Sequence, residues 1–396
     1  MNILLLSWNY PPRTGGIEKV IFGLHRGLRG LGDRITVITS RAENDSRRSE
    51  EYPPVLRAPR RGVPGFLLHA LARGLGICAR HPPDVILCGS LLTLPVGLVL
   101  ARPFRIPLCL IVYGSDLLQG GKLLQAGLRW WLRRADRIVA ISRATASLLR
   151  QRGVPPQRIA VIPPGIEPAR WEAAPRGGGF QKWEQELQGR RVILSAGRLV
   201  RRKGFLELVR EVMPEVVRRY PEVLLLIVGT DPAASLIHRE RISDEIRAAV
   251  EELDLQYHVR LLGHVPGALL RFLMMRSELF ALPVRSIPGD MEGFGIVFLE
   301  AALCGVPSVS TRVGGVPDAV EHGVTGWLVD PQDIRGFSEA VCRLLADAEK
   351  RKRFGEAARK RAREKFNWER LARAYHDTLA AVIQAHSRKR GGTSHG

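Results

Sequence analysis

Glu292 and Glu300 stand eight positions apart and bracket Gly293-Phe294-Gly295-Ile296 at the head of an apolar helical stretch. Glycines at a helix N-terminus let a phosphate approach closely, and unsatisfied backbone N–H groups and the helix dipole favour negative charge there. Glu300 follows Gly295 by five residues, about 7.5 Å along a helix at 1.5 Å per residue, roughly the step from a nucleotide's phosphates to its ribose hydroxyls. Packing gives no reason for a carboxylate in Phe298-Leu299-Glu300-Ala301-Ala302, so accepting a pair of hydroxyls is its natural role.

A second group is cationic. The loop Gly197-Arg198-Leu199-Val200-Arg201-Arg202-Lys203-Gly204 follows an apolar extended run. Arg198 and Lys203 therefore leave a strand at its carboxyl end, where open α/β sheets bind ligands. Two cations there can hold a diphosphate and stabilise it as it departs. Arg201 and Arg202 read as a solvated basic stretch. A third loop, Asn9-Tyr10-Pro11-Pro12-Arg13-Thr14-Gly15-Gly16-Ile17-Glu18, places Gly15 and Gly16 immediately before a helical pattern. Such a junction can bind an anion. Its spacing is not the G-x-G-x-x-G of dinucleotide folds, and taken alone it is a glycine turn entering a helix.

Alternating elements position these loops. Extended runs at residues 3–6, 35–39, 84–88, 108–112, 137–141 and 159–162 are separated by loops and helical patterns, the first helix marked by Ile17, Val20, Ile21, Leu24, Leu28 and Leu31. The rhythm restarts with runs at 192–196, 223–228, 259–262, 278–282, 307–310 and 327–329. Alternation of this kind predicts two domains of parallel strands with crossover helices. Between them, residues 171–190 carry Pro175 and the run Gly177 to Gly179 and read as a linker. The predicted layout is an N-terminal domain over 1–170, a C-terminal domain over 191–365, a last helix over 366–386 and a basic disordered tail over 387–396.

The chain has 396 residues and a formal net charge of +21, which calls for an anionic partner: nucleic acid, an anionic membrane surface or a phosphorylated substrate. Residues 1–170 hold 25 Lys and Arg against 10 Asp and Glu, so most of the excess belongs to the N-terminal part. Cys78, Cys88, Cys109, Cys304 and Cys342 have no disulfide or zinc spacing. That fits a reducing compartment. The opening residues lack the features of a signal peptide, and the longest weakly charged run, 91–101, is far below the roughly 20 apolar residues a membrane span needs. A cytoplasmic location is expected.

In order along the chain, the Gly15-Gly16 loop, Ile162-Pro163-Pro164-Gly165-Ile166-Glu167, Gly197-Arg198-Leu199 with Lys203-Gly204, Ile227-Val228-Gly229, residues 292–300, Val313-Gly314-Gly315-Val316-Pro317-Asp318 and residues 323–329 resemble the GT-B glycosyltransferases. The resemblance is closest to the retaining family-four group, also called glycosyl transferases group 1. It implies an α/β fold of two Rossmann-like domains with a cleft between them and a C-terminal helix crossing back to the first. It also implies a metal-independent hexosyltransferase that moves a sugar from a nucleotide sugar to a glycan or lipid-linked acceptor with retention, in cell-envelope polysaccharide or glycolipid biosynthesis.

Carried over residue by residue, the resemblance makes Arg198 and Lys203 the diphosphate ligands and Glu300 the ribose ligand. Gly293, Phe294, Gly295 and Ile296 would offer backbone groups to phosphate and sugar, and Glu292 would approach the transferred sugar. Gly229 and Val265 would line the nucleotide, and Gly15 and Gly16 would contact the diphosphate or acceptor. Asp116 would contact sugar or acceptor. The catalytic set so implied is Glu292, Asp116, Lys203 and Arg198. No cofactor is expected, and the sequence has no Asp-x-Asp pair to hold a divalent ion. Tyr113 stands where many relatives have His.

On this reading the N-terminal charge concerns the acceptor or its surroundings. The stretch 122–134 has Leu124, Leu128, Trp131 and Leu132 on one helical face with arginines beside them, and 57–80 has Arg57, Arg60 and Arg61 before Phe66, Leu67, Leu68 and Leu71. Either could lie on an anionic inner leaflet or pack its apolar face on the sheet. Two other readings compete. One is a basic nucleic-acid-binding protein, disfavoured because no recognition helix or RNP-type motif is present. The other is a GT-B epimerase, phosphorylase or inactive partner.

Overall fold

The computed structural model describes residues 1–13, 15–41, 54–59, 62–118, 122–172, 180–232 and 241–391. Thr14, Arg60, Arg61, Pro175, Gly177 to Gly179 and residues 392–396 lie outside them, as does the Leu124 side chain. The chain divides into two units, one of Met1–Gly165 with Asn367–Gly396 and one of Ile166–Phe366.

In the first unit the described strands are β1 (Asn2–Ser7), β2 (Arg34–Thr39), β3 (Val55–Arg57), β4 (Val85–Cys88), β5 (Leu108–Val112), β6 (Arg137–Ala140) and β7 (Ile159–Val161). They form a parallel sheet in the order β3-β2-β1-β4-β5-β6-β7. The second unit holds β8 (Arg191–Ala196), β9 (Val223–Val228), β10 (Val259–Gly263), β11 (Leu279–Leu282), β12 (Ser308–Thr311) and β13 (Gly326–Val329). Its parallel order is β10-β9-β8-β11-β12-β13. Helices cover both faces of such sheets, so their central strands are apolar at successive residues rather than alternating. Val-Ile-Leu-Cys of β4, Leu-Cys-Leu-Ile-Val of β5 and Val-Leu-Leu-Leu-Ile-Val of β9 are buried throughout.

All the extended runs expected from the sequence are strands. β3 was not among them. It is a three-residue edge strand entered from Pro54, and proline tolerance at an edge hides such a strand from pattern reading. The expected linker 171–190 falls inside the second unit. There Trp171 is buried at the end of the helix Pro168–Glu172, and Phe180, beside the helix Gln181–Glu186, stacks on Phe272 at 4.8 Å. The last helix, Trp368–Gly391, runs past the expected end at 386 into the stretch read as a tail.

That helix belongs to the first unit and packs on the helix Gly16–Gly30. It buries Leu371, Ala372, Tyr375, Leu379 and Val382 along one stripe. His376 Nδ1 meets Asp33 Oδ2 at 2.8 Å. Small residues permit the approach: a Cβ on Gly23 would lie 2.0 Å from the Trp368 ring, and one on Gly27 would lie 2.5 Å from Ala372 Cβ. The chain enters and leaves the second unit side by side, with Ile166 N donating to Phe366 O at 2.7 Å. The five cysteines are free and buried. No helix among the described residues is long and apolar enough to cross a membrane.

Gly23→Ala forces the Trp368 ring to move within a packed contact and should cost about 1–3 kcal/mol. Chemical denaturation should show a lower midpoint, and an unchanged midpoint would mean the Trp368 contact is not tightly packed.

Candidate active site

The second sheet reverses its strand order at β8, whose neighbours are β9 and β11. At such a switch point the loops leaving adjacent strands part and open a crevice. Here those loops are residues 197–204, after β8, and 283–295, after β11. Backbone bonds tie them together: Arg285 N donates to Arg202 O at 2.7 Å. The ends of β9 and β10 join the same row, since Leu199 N donates to Thr230 O at 3.0 Å and Gly229 N to Gly263 O at 2.9 Å. Val265 follows β10 and is half-buried.

Four charged side chains meet between the two loops. Lys203 Nζ lies 2.8 Å from Glu292 Oε2. Arg202 Nη1 donates to Asp290 Oδ2 at 2.9 Å, and Arg202 Nε lies 3.5 Å from the same Glu292 oxygen. Asp290 Oδ1 accepts from Met291 N at 2.9 Å. Arg202, Lys203 and Glu292 are each only 7% exposed. Burial is tolerable for these charges because two cations face two carboxylates. Burial pushes the Glu292 carboxyl up, but Lys203 and Arg202, helped by Arg198, outweigh it and hold the group below the ordinary 4.5. Arg198 itself is exposed.

This corrects the expectation for Arg202, which is not a solvated basic residue. Arg201 does face solvent and pairs with Glu245 at 3.0 Å. Arg202 and Asp290 are the site residues the sequence reading missed. The available signal was charge balance: Asp290-Met291-Glu292 and Arg202-Lys203 follow adjacent strands of one sheet, so each pair can supply the other's counter-charges.

Glu292 leads through Gly293 and Phe294 to Gly295, whose φ of 86° caps the helix Ile296–Leu303. An L side chain rarely adopts that backbone. The Phe294 side chain is buried against Phe366, with ring centroids 5.6 Å apart. Ile296 is half-buried, and Glu300 is 4% exposed inside the helix. Beneath the loop, Gly315 N donates to Glu292 O at 2.8 Å. A Cβ on Gly314 would lie 2.2 Å from Glu292 O, and one on Gly315 would lie 2.0 Å from Gly293 O. The paired glycines of Val313-Gly314-Gly315-Val316 thus support the 292–295 loop.

Gly15, Gly16 and Asp116 belong to the first unit. Gly16 opens its helix, and Glu18 reaches back to the glycine loop. Glu18 Oε1 accepts from Asn9 Nδ2 at 2.8 Å, and Oε2 would lie 2.3 Å from a Cβ on Gly15. A carboxylate of the chain therefore already lies beside the junction read as an anion site. Asp116 is also engaged: Oδ1 accepts from Gly114 N at 2.8 Å and Tyr113 N at 3.2 Å, and Oδ2 from Tyr113 N at 3.3 Å. Its observed work is to close that turn. Burial pushes its carboxyl up to about 6 against those backbone donors. Tyr113 is buried with no hydrogen-bond partner for its hydroxyl among the described residues. Burial, followed by Tyr375, Asp116 and Glu18, raises this phenol well above its ordinary range.

Residues 14–170 match the family described as Glycosyltransferase Family 4, and residues 180–361 match Glycosyl transferases group 1. A GDP-mannose-dependent alpha-(1-6)-phosphatidylinositol monomannoside mannosyltransferase of Mycolicibacterium smegmatis is 29% identical over 92% of this chain and 95% of its own. A glycogen synthase of Mycobacterium tuberculosis is 26% identical over 94% and 93%. Among solved structures, Anabaena HepE in complex with UDP superposes with a TM-score of 0.79 at 22% identity, covering 96% of this chain and all of that one. Both units have the GT-B type of Rossmann-like fold.

The charge cluster sets a pH dependence. Because the folded carboxyl of Glu292 lies below 4.5, its stabilising contribution is complete above that pH and is lost as pH falls through the folded value. Glu292→Gln should cost about 3–5 kcal/mol at pH 7, by leaving the buried Lys203 ammonium without its carboxylate. The stability gap from the native chain should narrow below pH 4.5. A gap independent of pH, read by denaturant unfolding, would exclude the ionised pair.

Proposed function

The chain belongs to the group 1 glycosyl transferases, and from that membership we propose that it transfers a sugar from a nucleotide-sugar donor with retention and without a metal ion. The observation that carries this is the Lys203 ammonium at the β8–β11 switch point, beside Glu292 and behind a glycine-capped helix start. Arg198 and Lys203 hold the donor's diphosphate. As the bond from the sugar's anomeric carbon to the diphosphate oxygen breaks, Lys203 stabilises the charge arriving on that oxygen. The acceptor hydroxyl attacks on the same face, its proton passes to a departing phosphate oxygen, and the new glycosidic bond keeps the original configuration. Glu292 faces the transferred sugar and Glu300 accepts the ribose hydroxyls. The cations meet the charge that a divalent ion meets elsewhere, consistent with the missing Asp-x-Asp pair.

The mannosyltransferase relative is named for GDP-mannose and a phosphatidylinositol glycolipid, and HepE was crystallised with UDP. Those names support GDP- and UDP-sugars as first donors, and a lipid-linked or glycan acceptor of cell-envelope glycolipid or polysaccharide assembly. Work at the cytoplasmic face of a membrane agrees with the charge of the first 170 residues.

The apolar residues of the two stretches that could serve such work divide between the core and the surface. Leu128 and Leu132 are buried and Trp131 packs on the same core, so the apolar face of Lys122–Leu132, where described, is used by the fold. Phe66 is buried likewise, with Leu67 and Leu71 packed against that core. Leu68, Leu75, Val99 and Trp130 are among the exposed apolar residues described, with Trp130 flanked by Arg102 and Arg134 at 5.8 and 3.1 Å from its ring. Exposed apolar side chains among arginines suit an anionic leaflet.

With the accepted donor, Lys203→Ala should lower kcat about 100- to 1000-fold, while Glu300→Ala should mainly raise KM for the donor. Full activity in both variants would reject the site. NMR of the first-formed product should show the donor's anomeric configuration, and inversion would reject retention. Vesicles containing acidic lipid should float the protein and neutral vesicles should not, with Leu68→Ser/Trp130→Ser weakening flotation. Equal flotation with both lipids would reject an electrostatic attachment.

A further inference from the structure

Lys203 faces two demands. Its ammonium lies 2.8 Å from Glu292 Oε2, yet the proposed reaction needs the same ammonium on the donor's diphosphate. When Lys203 turns to phosphate, Glu292 would be left as a buried anion stripped of its nearest cation.

Arg202 is placed to prevent this. Its Nε stands 3.5 Å from that same oxygen, just beyond hydrogen-bond length, and has no acceptor of its own among the described residues. Its Nη1 is already fixed by Asp290 at 2.9 Å. A guanidinium carries five donors in one rigid plane, so it can hold two carboxylates at once where an ammonium offers a single point charge. The frame around it is secured at both ends. Arg202 O accepts from Arg285 N, and the Asp290 carboxylate accepts from Met291 N, so the segment between β11 and Glu292 is hung on Arg202.

We propose that Arg202 is a positioning residue that takes over Glu292 as the donor's diphosphate engages Lys203, keeping that carboxylate ionised and aimed at the transferred sugar. Asp290 sets the plane of the guanidinium for this exchange. Arg202 acts on the reaction through Glu292 and not by touching the donor. The inference rests on the reading of Lys203 as the diphosphate ligand.

The test combines calorimetric binding of GDP and UDP with steady-state kinetics over pH, on the native chain, Arg202→Gln, Arg202→Lys and Asp290→Asn. The native chain should bind at least one of the two nucleotides. Arg202→Gln should bind it within about threefold of the native chain but lose about 10- to 100-fold in kcat, the size seen when an outer partner of a site is removed. The acidic limb of its kcat profile should move to higher pH, because Glu292 takes up a proton more readily once Lys203 is occupied. Arg202→Lys should recover part of kcat, and Asp290→Asn should lower kcat less than Arg202→Gln. Should Arg202→Gln fail to fold, the other two variants decide the question by the same split. Native kcat with an unshifted acidic limb would overturn the proposal. Loss of nucleotide affinity as large as the loss of kcat would overturn it too, making Arg202 a diphosphate ligand. A native chain that binds neither nucleotide would overturn the reading of Lys203 and this inference with it.

Discussion

Charge burial at the switch point of the second sheet is the constraint on which the site depends. Two cations from the β8 loop and two carboxylates from the β11 loop share one nearly dry space. Neither pair is stable there alone, since an unpartnered charge removed from water costs far more than a single contact returns. The two loops must therefore fold together, and the order of strands in a parallel sheet brings them together. The same arrangement keeps the positive charge away from water, and electrostatic interactions are strongest where water is scarce.

The remainder of the second unit maintains that meeting. Gly314 and Gly315 let a neighbouring turn press against the carbonyls of Glu292 and Gly293, and Gly315 N holds one of them. Phe294 is drawn inward onto Phe366, which anchors the loop between Glu292 and the helix Ile296–Leu303. Residues that look like separate motifs along the chain are thus parts of one support, each fixing a backbone segment that bears or flanks Glu292.

Much of this was legible in the sequence, for physical reasons. Central parallel strands announce themselves as continuous apolar runs because both faces are covered, so every expected strand was found. β3 escaped because three residues after two prolines carry no pattern. Lys203, Glu292 and Glu300 could be singled out because a charged residue beside glycines or inside an apolar helix needs an explanation. The state of Arg202 was not legible in its own segment, where three consecutive cations resemble a solvated stretch. Its burial is decided by Asp290, far along the chain. For the same reason the amphipathic pattern around Leu128 and Leu132 showed that one face must be covered, and tertiary packing alone showed that the protein's own core covers it.

The return of the last helix to the first unit bears on the order in which the chain is made. Residues 166–366 form one uninterrupted unit whose first and last backbone groups are bonded to each other. The first unit must wait for Trp368 and the stripe from Leu371 to Val382 before the groove at Gly23 and Gly27 is filled. During synthesis from the N-terminus, the second unit can therefore reach its native state while the older half of the polypeptide is still unfinished. A nascent chain that has emerged only as far as residue 366 would carry a folded insert within an incomplete host.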